Sequence, residues 1–371
     1  MIAYFTKMYQ AVPALMQIYQ ARGGVFVSTR RSTIKAIKKS YPGTRAELMG
    51  RVTGEFSKAA TYLKQADVIV TGSPYKKILE GYPARKYTVF HGTYTYLSSR
   101  ELASMQHFDM LCAIGPRMVS MMENSGLPIK FMVSGYLPFL EYPTRTPSAR
   151  LDLLTAMGLD PDKKTVLYVP TGKPNGSWDW LAEKLVAEIS PDCNLILRPH
   201  PSQSVTARIR DTFGFYKLRR LCKKRGATVL DLTSLKLSSL YSISDLVISD
   251  GTSTAEESLY YDLPQVFVET DRFSKRHVKN MMLEKGADKE YVERLVSLYD
   301  CGTSLTPDTA NLQQFLGDSI ENAGKYAPYR SEYFSWVFGD RGLDNQHRFM
   351  DHLGSITRPP PASIELHKPS R

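Results

Sequence analysis

The first 140 residues alternate short apolar runs with longer stretches whose apolar positions recur every three or four residues. Ile2–Phe5, Gly24–Ser28, Ala66–Val70, Tyr87–Phe90, Met110–Ile114 and Lys130–Val133 are short and rich in β-branched or aromatic residues, which predicts strands. Lys7–Ala21, Arg45–Lys64 and Pro116–Asn124 carry helical periodicity. Alternating strand and helix predicts a mostly parallel sheet covered by helices. Residues 141–150, rich in Pro and Thr, read as a linker. A second alternating set follows. Its strands are Thr165–Val169, Asn194–Leu197, Ala227–Leu230, Leu246–Ser249 and Gln265–Glu269. Its helices are Trp178–Ile189, Val205–Arg225 and one starting at Thr254. The expected organisation is two open, doubly wound α/β domains in tandem, 1–145 and 146–335, with a cleft between them. A C-terminal helix over 336–356 and a flexible tail over 357–371 complete it.

Composition narrows the function classes. Across 371 residues, 42% hydrophobic and 11% aromatic content suffices for packed cores and excludes wholesale disorder. Cys112, Cys193, Cys222 and Cys301 form no C-x-x-C pair, which excludes a zinc ribbon or disulfide scaffold and fits a reducing cytosol. The seven His are scattered without H-x-x-x-H spacing, so no metal site is expected. Lys7, Gln10, Pro13, Gln17 and Gln20 interrupt the apolar start, so it does not read as a signal peptide. No apolar run is long enough to span a bilayer, and the expectation is a soluble cytoplasmic protein or a peripheral one on the inner membrane face.

A net charge of +11 points to anionic partners: nucleic acid, phosphorylated substrates or an acidic membrane face. One basic run comprises Arg30, Arg31, Lys35, Lys38, Lys39 and Arg45; a second comprises Lys217, Arg219, Arg220, Lys223, Lys224 and Arg225. Neither accompanies a nucleic-acid recognition module, so nucleic acid is not an expected partner. The first run reads as a membrane-facing surface and the second as a solvated face.

Three motifs carry candidate chemistry, each at a strand end. His91-Gly92-Thr93 follows the strand Tyr87–Phe90, placing an imidazole with general-base character at the carboxyl edge of a parallel sheet. A plain loop histidine is the bland alternative. Arg198-Pro199-His200-Pro201 follows Asn194–Leu197; its prolines hold Arg198 and His200 on a rigid loop suited to phosphate or oxyanion contact. An Arg198–carboxylate pair in a structural turn is equally compatible. Asp250-Gly251-Thr252-Ser253-Thr254 follows Leu246–Ser249 and opens a helix, offering more hydroxyls than capping needs and hence a phosphate cradle. A weaker fourth segment, Thr171-Gly172-Lys173, either faces the same cleft or is a solvated loop.

Taken in this order, the motifs resemble the CDP-glycerol glycerophosphotransferase family, the teichoic acid primases and polymerases. The family's H-G-T corresponds to His91–Thr93 and its R-P-H-P to Arg198–Pro201. Its T-D-Y-S-S segment corresponds more loosely to Ser249–Ser253, with Gly251 and Thr252 in place of Tyr and Ser. Phe338-Gly339-Asp340-Arg341-Gly342 with Arg348 is similar to its closing pattern. The resemblance implies a GT-B fold, in which an N-terminal Rossmann-like domain holds the acceptor and a C-terminal one the nucleotide donor. It implies transfer of a polyol phosphate, glycerol phosphate foremost, from a CDP-linked donor to a hydroxyl of a cell-wall or capsule polymer, or of its lipid-linked precursor. CMP is released and no cofactor is required; a divalent metal is left open. His91 would deprotonate the acceptor, and His200 with Arg198 would stabilise the pyrophosphate. Gly92, Thr93, Thr171, Lys173, Gly251, Thr252, Ser253 and Thr254 would contact substrate, and Asp250 would orient the loop or the donor. Competing readings are a GT-B glycosyltransferase using a CMP- or UDP-sugar, a nucleotide-sugar 2-epimerase echoed by Glu256-Glu257, and a non-enzymatic anion- or membrane-binding protein.

Overall fold

In the computed structural model, residues 1–50, 57–205, 209–271 and 273–357 are described. Among them thirteen strands form two sheets. The first contains β1 (Ile2–Phe5), β2 (Val25–Ser28), β3 (Ala46–Leu48), β4 (Val68–Thr71), β5 (Arg85–Val89), β6 (Met110–Ala113) and β7 (Phe131–Val133). Its order is β3-β2-β1-β4-β5-β6-β7. The second contains β8 (Thr165–Val169), β9 (Asn194–Leu197), β10 (Thr228–Leu230), β11 (Leu246–Ser249), β12 (Gln265–Val268) and β13 (Thr303–Leu305), in the order β10-β9-β8-β11-β12-β13. Every pairing is parallel. The central strands β1, β2, β4, β8, β9, β11 and β12 are buried at every position, which explains why they read as continuous apolar runs rather than alternating ones. In both sheets the order reverses beside the first strand, between β1 and β4 and between β8 and β11, where open α/β sheets form ligand crevices.

Three expectations are corrected. The helix expected over Arg45–Lys64 begins as strand β3, whose Ala46, Glu47 and Leu48 pair with Phe26, Val27 and Ser28. Its helical part is Lys58–Gln65, and 51–56 lie outside the described residues. The basic run from Arg30 is itself mostly a helix, Arg31–Ser40. The expected linker 141–150 contains the start of the helix Pro147–Ala156, where Thr146 Oγ1 accepts from the Ala149 amide and Pro147 takes the first turn. The expected helix 336–356 is two helices, Ala327–Phe338 and Asp344–Ile356, separated where Gly339 adopts a φ of 87°. Positions 206–208 of the expected helix Val205–Arg225, and the tail beyond Thr357, lie outside the described residues.

The two halves share apolar packing. One core cluster joins Val25 and Leu111 of the first half to Phe267, Tyr333 and Phe334 beyond it. The helix Asp344–Ile356 returns to the first sheet, burying Phe349, Met350 and Leu353 beside Tyr4 and Val70. Among the described residues no helix is long and apolar enough to cross a membrane.

Candidate active site

A cavity of about 750 Å3 lies between the two sheets. Residues following β1, β5, β8, β9 and β11 line it: Met8 and Tyr9, His91 and Gly92, Thr171, Arg198 and His200, and Gly251 to Thr254. All lie at carboxyl ends of strands, so the parallel order delivers three sequence-distant motifs to one space.

His91 is fixed from the neighbouring strand. Its Nδ1 lies 2.7 Å from the carbonyl oxygen of Gly72, just past β4, and 2.9 Å from the Tyr94 hydroxyl. A carbonyl only accepts, so Nδ1 carries the proton and the Nε2 lone pair is left for the cavity. Gly72 permits this approach: a Cβ there would stand 2.6 Å from that of Ala11 and 3.3 Å from that of His91. Burial holds the imidazole pKa below its ordinary 6.5 although the Gly72 contact opposes it, so the ring is neutral at pH 7.

His200 is wired in the opposite sense. The Ser202 amide donates to its Nδ1 at 3.2 Å, so the neutral ring carries its proton on Nε2. Burial lowers this pKa too. One histidine therefore offers a lone pair and the other an N–H. Arg198 also borders the cavity, but its Nη1 is paired with the buried Asp231 carboxylate and donates to the Leu235 carbonyl at 2.9 Å. The structural-turn alternative holds for this side chain: its charge is matched within the protein.

Asp250 does not line the cavity. One carboxylate oxygen accepts from the Thr171 amide at 2.6 Å and the Ser177 amide at 3.2 Å, while the other accepts from the Ser177 hydroxyl. It shapes the loop that presents Thr171 rather than contacting a donor. Burial pushes its pKa up to about 6 despite those three donors. Lys173 is likewise displaced from the expected site. It pairs with Asp179 at 2.7 Å and Asp211 at 3.4 Å beside a separate hollow of about 280 Å3.

The hydroxyls of the third motif divide. None makes a side-chain cap for the helix Ser253–Ser258. Ser253 Oγ receives hydrogen bonds from the Thr93 amide at 3.3 Å and the Thr93 hydroxyl at 3.0 Å. Thr93 and Ser253 thus join the halves, and a Cβ at Gly92 would press on that same hydroxyl at 3.2 Å. Thr252 and Thr254 line the cavity, 3.4 Å apart at their hydroxyls, and Thr254 donates to the Val169 carbonyl at 3.3 Å. Gly251, at φ 66°, turns the chain into this segment with Tyr299 packed against it.

Beneath the motifs lies a strut absent from the sequence reading. Arg117, 1% exposed, grips both oxygens of Glu256 at 2.6 and 2.9 Å. It also donates to the Thr93 carbonyl at 2.9 Å and meets the Tyr333 hydroxyl at 3.2 Å. Burial pushes the Glu256 carboxyl up, but Arg117 outweighs it and holds the pKa below its ordinary value. Glu257, by contrast, lines the cavity and accepts from the Tyr136 hydroxyl at 2.6 Å; burial pushes its pKa up to about 7. Consecutive glutamates on a short helix gave only a hint, since Arg117 and Tyr136 are more than a hundred residues away and Tyr333 is 77 away. Among the described residues no three His, Cys, Asp or Glu side chains gather as a metal site.

Residues 138–290 match the family model described as CDP-glycerol:poly(glycerophosphate) glycerophosphotransferase. The match takes in Arg198, His200 and Asp250–Thr254, while His91–Thr93 lies before it. Among solved structures the chain is similar to the wall teichoic acid polymerase TagF, in a variant with CDPG, at 16% identity over 95% of this chain and 88% of that one, TM-score 0.64. It is also similar to Anabaena Alr3699/HepE in complex with UDP and glucose, at 14% identity over 95% and 99%, TM-score 0.54. These likenesses show the fold, a GT-B-like pair of parallel sheets. No curated protein sequence matches significantly.

Proposed function

We propose that this chain, whose residues 138–290 match the CDP-glycerol glycerophosphotransferase family model, is a phosphotransferase that moves glycerol phosphate from CDP-glycerol to a hydroxyl of a cell-surface polymer or its lipid-linked precursor. The observation that carries the reading is the pair of histidines wired oppositely across one cavity. His91 Nε2 takes the proton of the acceptor hydroxyl as its oxygen attacks the β-phosphorus. The phosphorus–oxygen bond to CMP breaks, and CMP leaves with that electron pair. The His200 N–H and the Thr252 and Thr254 hydroxyls bind the phosphate oxygens, on which charge builds during transfer. Thr171 faces the same phosphates, held there by Asp250. The reaction belongs at the inner membrane face, where a nucleotide-activated donor meets a lipid-linked acceptor.

Incubation with CDP-glycerol, CDP-ribitol, CMP-sialic acid or UDP-GlcNAc, with CMP or UDP release measured, tests this. Turnover of a CDP-polyol supports the reading. Turnover of a sugar nucleotide alone would replace it with a glycosyltransferase.

A further inference from the structure

The helix Arg31–Ser40 sorts its side chains by face. Ile34, Ile37 and the following Tyr41, spaced three and four apart, are 9, 0 and 8% exposed against the first sheet. Arg31, Lys35, Lys38 and Lys39 recur at helical spacing on the other side, and with Arg30 all are exposed. Among the described residues no carboxylate forms an ion pair with any of these five. Helix stability accounts for Lys38 and Lys39, which lie in the last turn where the backbone dipole favours cations, but not for the rest of the row. Like charges four apart repel, and Arg30 and Arg31 sit at the end of the helix where the backbone dipole is already positive.

The row leads to the active site. Lys39, Ser40 and Tyr41 form part of the cavity wall. Across the cleft, Lys236 Nζ stands 5.2 Å from the centre of the Tyr41 ring. The helix is about 15 Å long, long enough to meet more than one charge of an extended ligand. A bilayer-binding helix would also expose apolar side chains to enter the lipid. Among the described residues the large exposed apolar ones are Leu151, Phe213, Tyr216, Leu283 and Tyr329, all on other elements.

We propose that this helix is the track for a polyanionic acceptor, whose phosphodiester repeats lie along Arg30, Arg31, Lys35 and Lys38 while Lys39 passes the chain end into the cavity towards His91. The chemistry at that chain end rests on the glycerophosphotransferase reading; the binding does not. The site would then extend a polymer rather than prime one.

The test compares three full-length proteins: wild type, Arg31→Glu/Lys35→Glu/Lys38→Glu, and a control reversal on the other basic helix, Arg219→Glu/Arg220→Glu/Lys223→Glu. Binding of fluorescently labelled poly(glycerol phosphate) is measured by anisotropy at several salt concentrations, without donor. The expected result is at least a tenfold loss of affinity and a shallower salt dependence for the first variant, with the control close to wild type. Equal affinity for all three, or equal loss in both variants, would overturn the track. So would loss of binding to anionic phospholipid vesicles with polymer binding intact, which would make the row a membrane contact. If the track binds polymer as expected but no CDP-polyol is ever turned over, only the proposed chemistry fails.

Discussion

At the scale of single residues, the catalytic argument depends on which nitrogen each histidine leaves free. His91→Ala removes the only base proposed for the acceptor hydroxyl and should lower CMP release by at least about a hundredfold, the usual scale for an acid–base group. Donor affinity, read by calorimetry, should change little. Because burial lowers the His91 pKa, the acid limb of kcat/KM should fall below pH 6.5, the ordinary histidine value. A limb centred above that value would remove His91 from the role. Glu257 gives a prediction about stability. Its folded pKa of about 7 exceeds the ordinary 4.5, so between these values the unfolded chain releases a proton that the folded chain keeps. Its contribution is full below the lower value and is lost as pH rises through the higher one. Glu257→Gln still accepts from Tyr136 but cannot ionise. Relative to wild type it should therefore gain roughly 2–4 kcal/mol between about pH 4 and pH 8, measured by urea unfolding. That His91 and His200 lie at the cavity was legible in the sequence because the first directly follows a short apolar strand and the second comes three residues after one. For Arg198, Asp250 and Lys173 the sequence left alternatives open and could not choose between them, because Asp231, Ser177 and Asp211 hold these side chains through contacts the chain order does not reveal.

At the scale of elements, the strut from helix Pro116–Glu123 to helix Ser253–Ser258 sets where the His91 loop stands relative to the hydroxyls that face it. Breaking a buried ion pair from one side strands the other charge and costs about 3–5 kcal/mol. Arg117→Met should lose about that much in denaturant unfolding. Arg117→Met with Glu256→Met should recover most of it, because no charge is then left uncompensated. If the double variant is no better than the single one, the pair is not the source of the loss. The buried parallel strands were read correctly because their sequences are apolar throughout. Strand β3 was not, since three residues at a sheet edge carry little pattern and sit beside helical periodicity. The helix Pro147–Ala156 was hidden by a Pro-rich start that serves equally well as a linker or as a first turn.

For the molecule as a whole, cations such as Arg117 and Arg198 are cancelled by Glu256 and Asp231, whereas the row beside the cleft adds five unmatched cations towards the surplus of +11. The shared core makes the halves interdependent. Calorimetry should show one cooperative transition rather than two, since the largest apolar cluster draws on both sheets. Removing residues from 344 onwards uncovers the seat of Phe349, Met350 and Leu353 on the first sheet. That should cost roughly 5 kcal/mol or more of stability, measured by urea unfolding. The Thr93–Ser253 contact has a historical consequence as well. Thr93, 1% exposed, donates to Ser253 across the halves, as the buried Arg117 does to Glu256 below them. A change on one side leaves a polar group stranded until its partner also changes. Over evolutionary time, positions 93 and 253, and 117 and 256, should therefore drift in pairs. Their shared substitutions across related chains would record how the two halves have been kept in register.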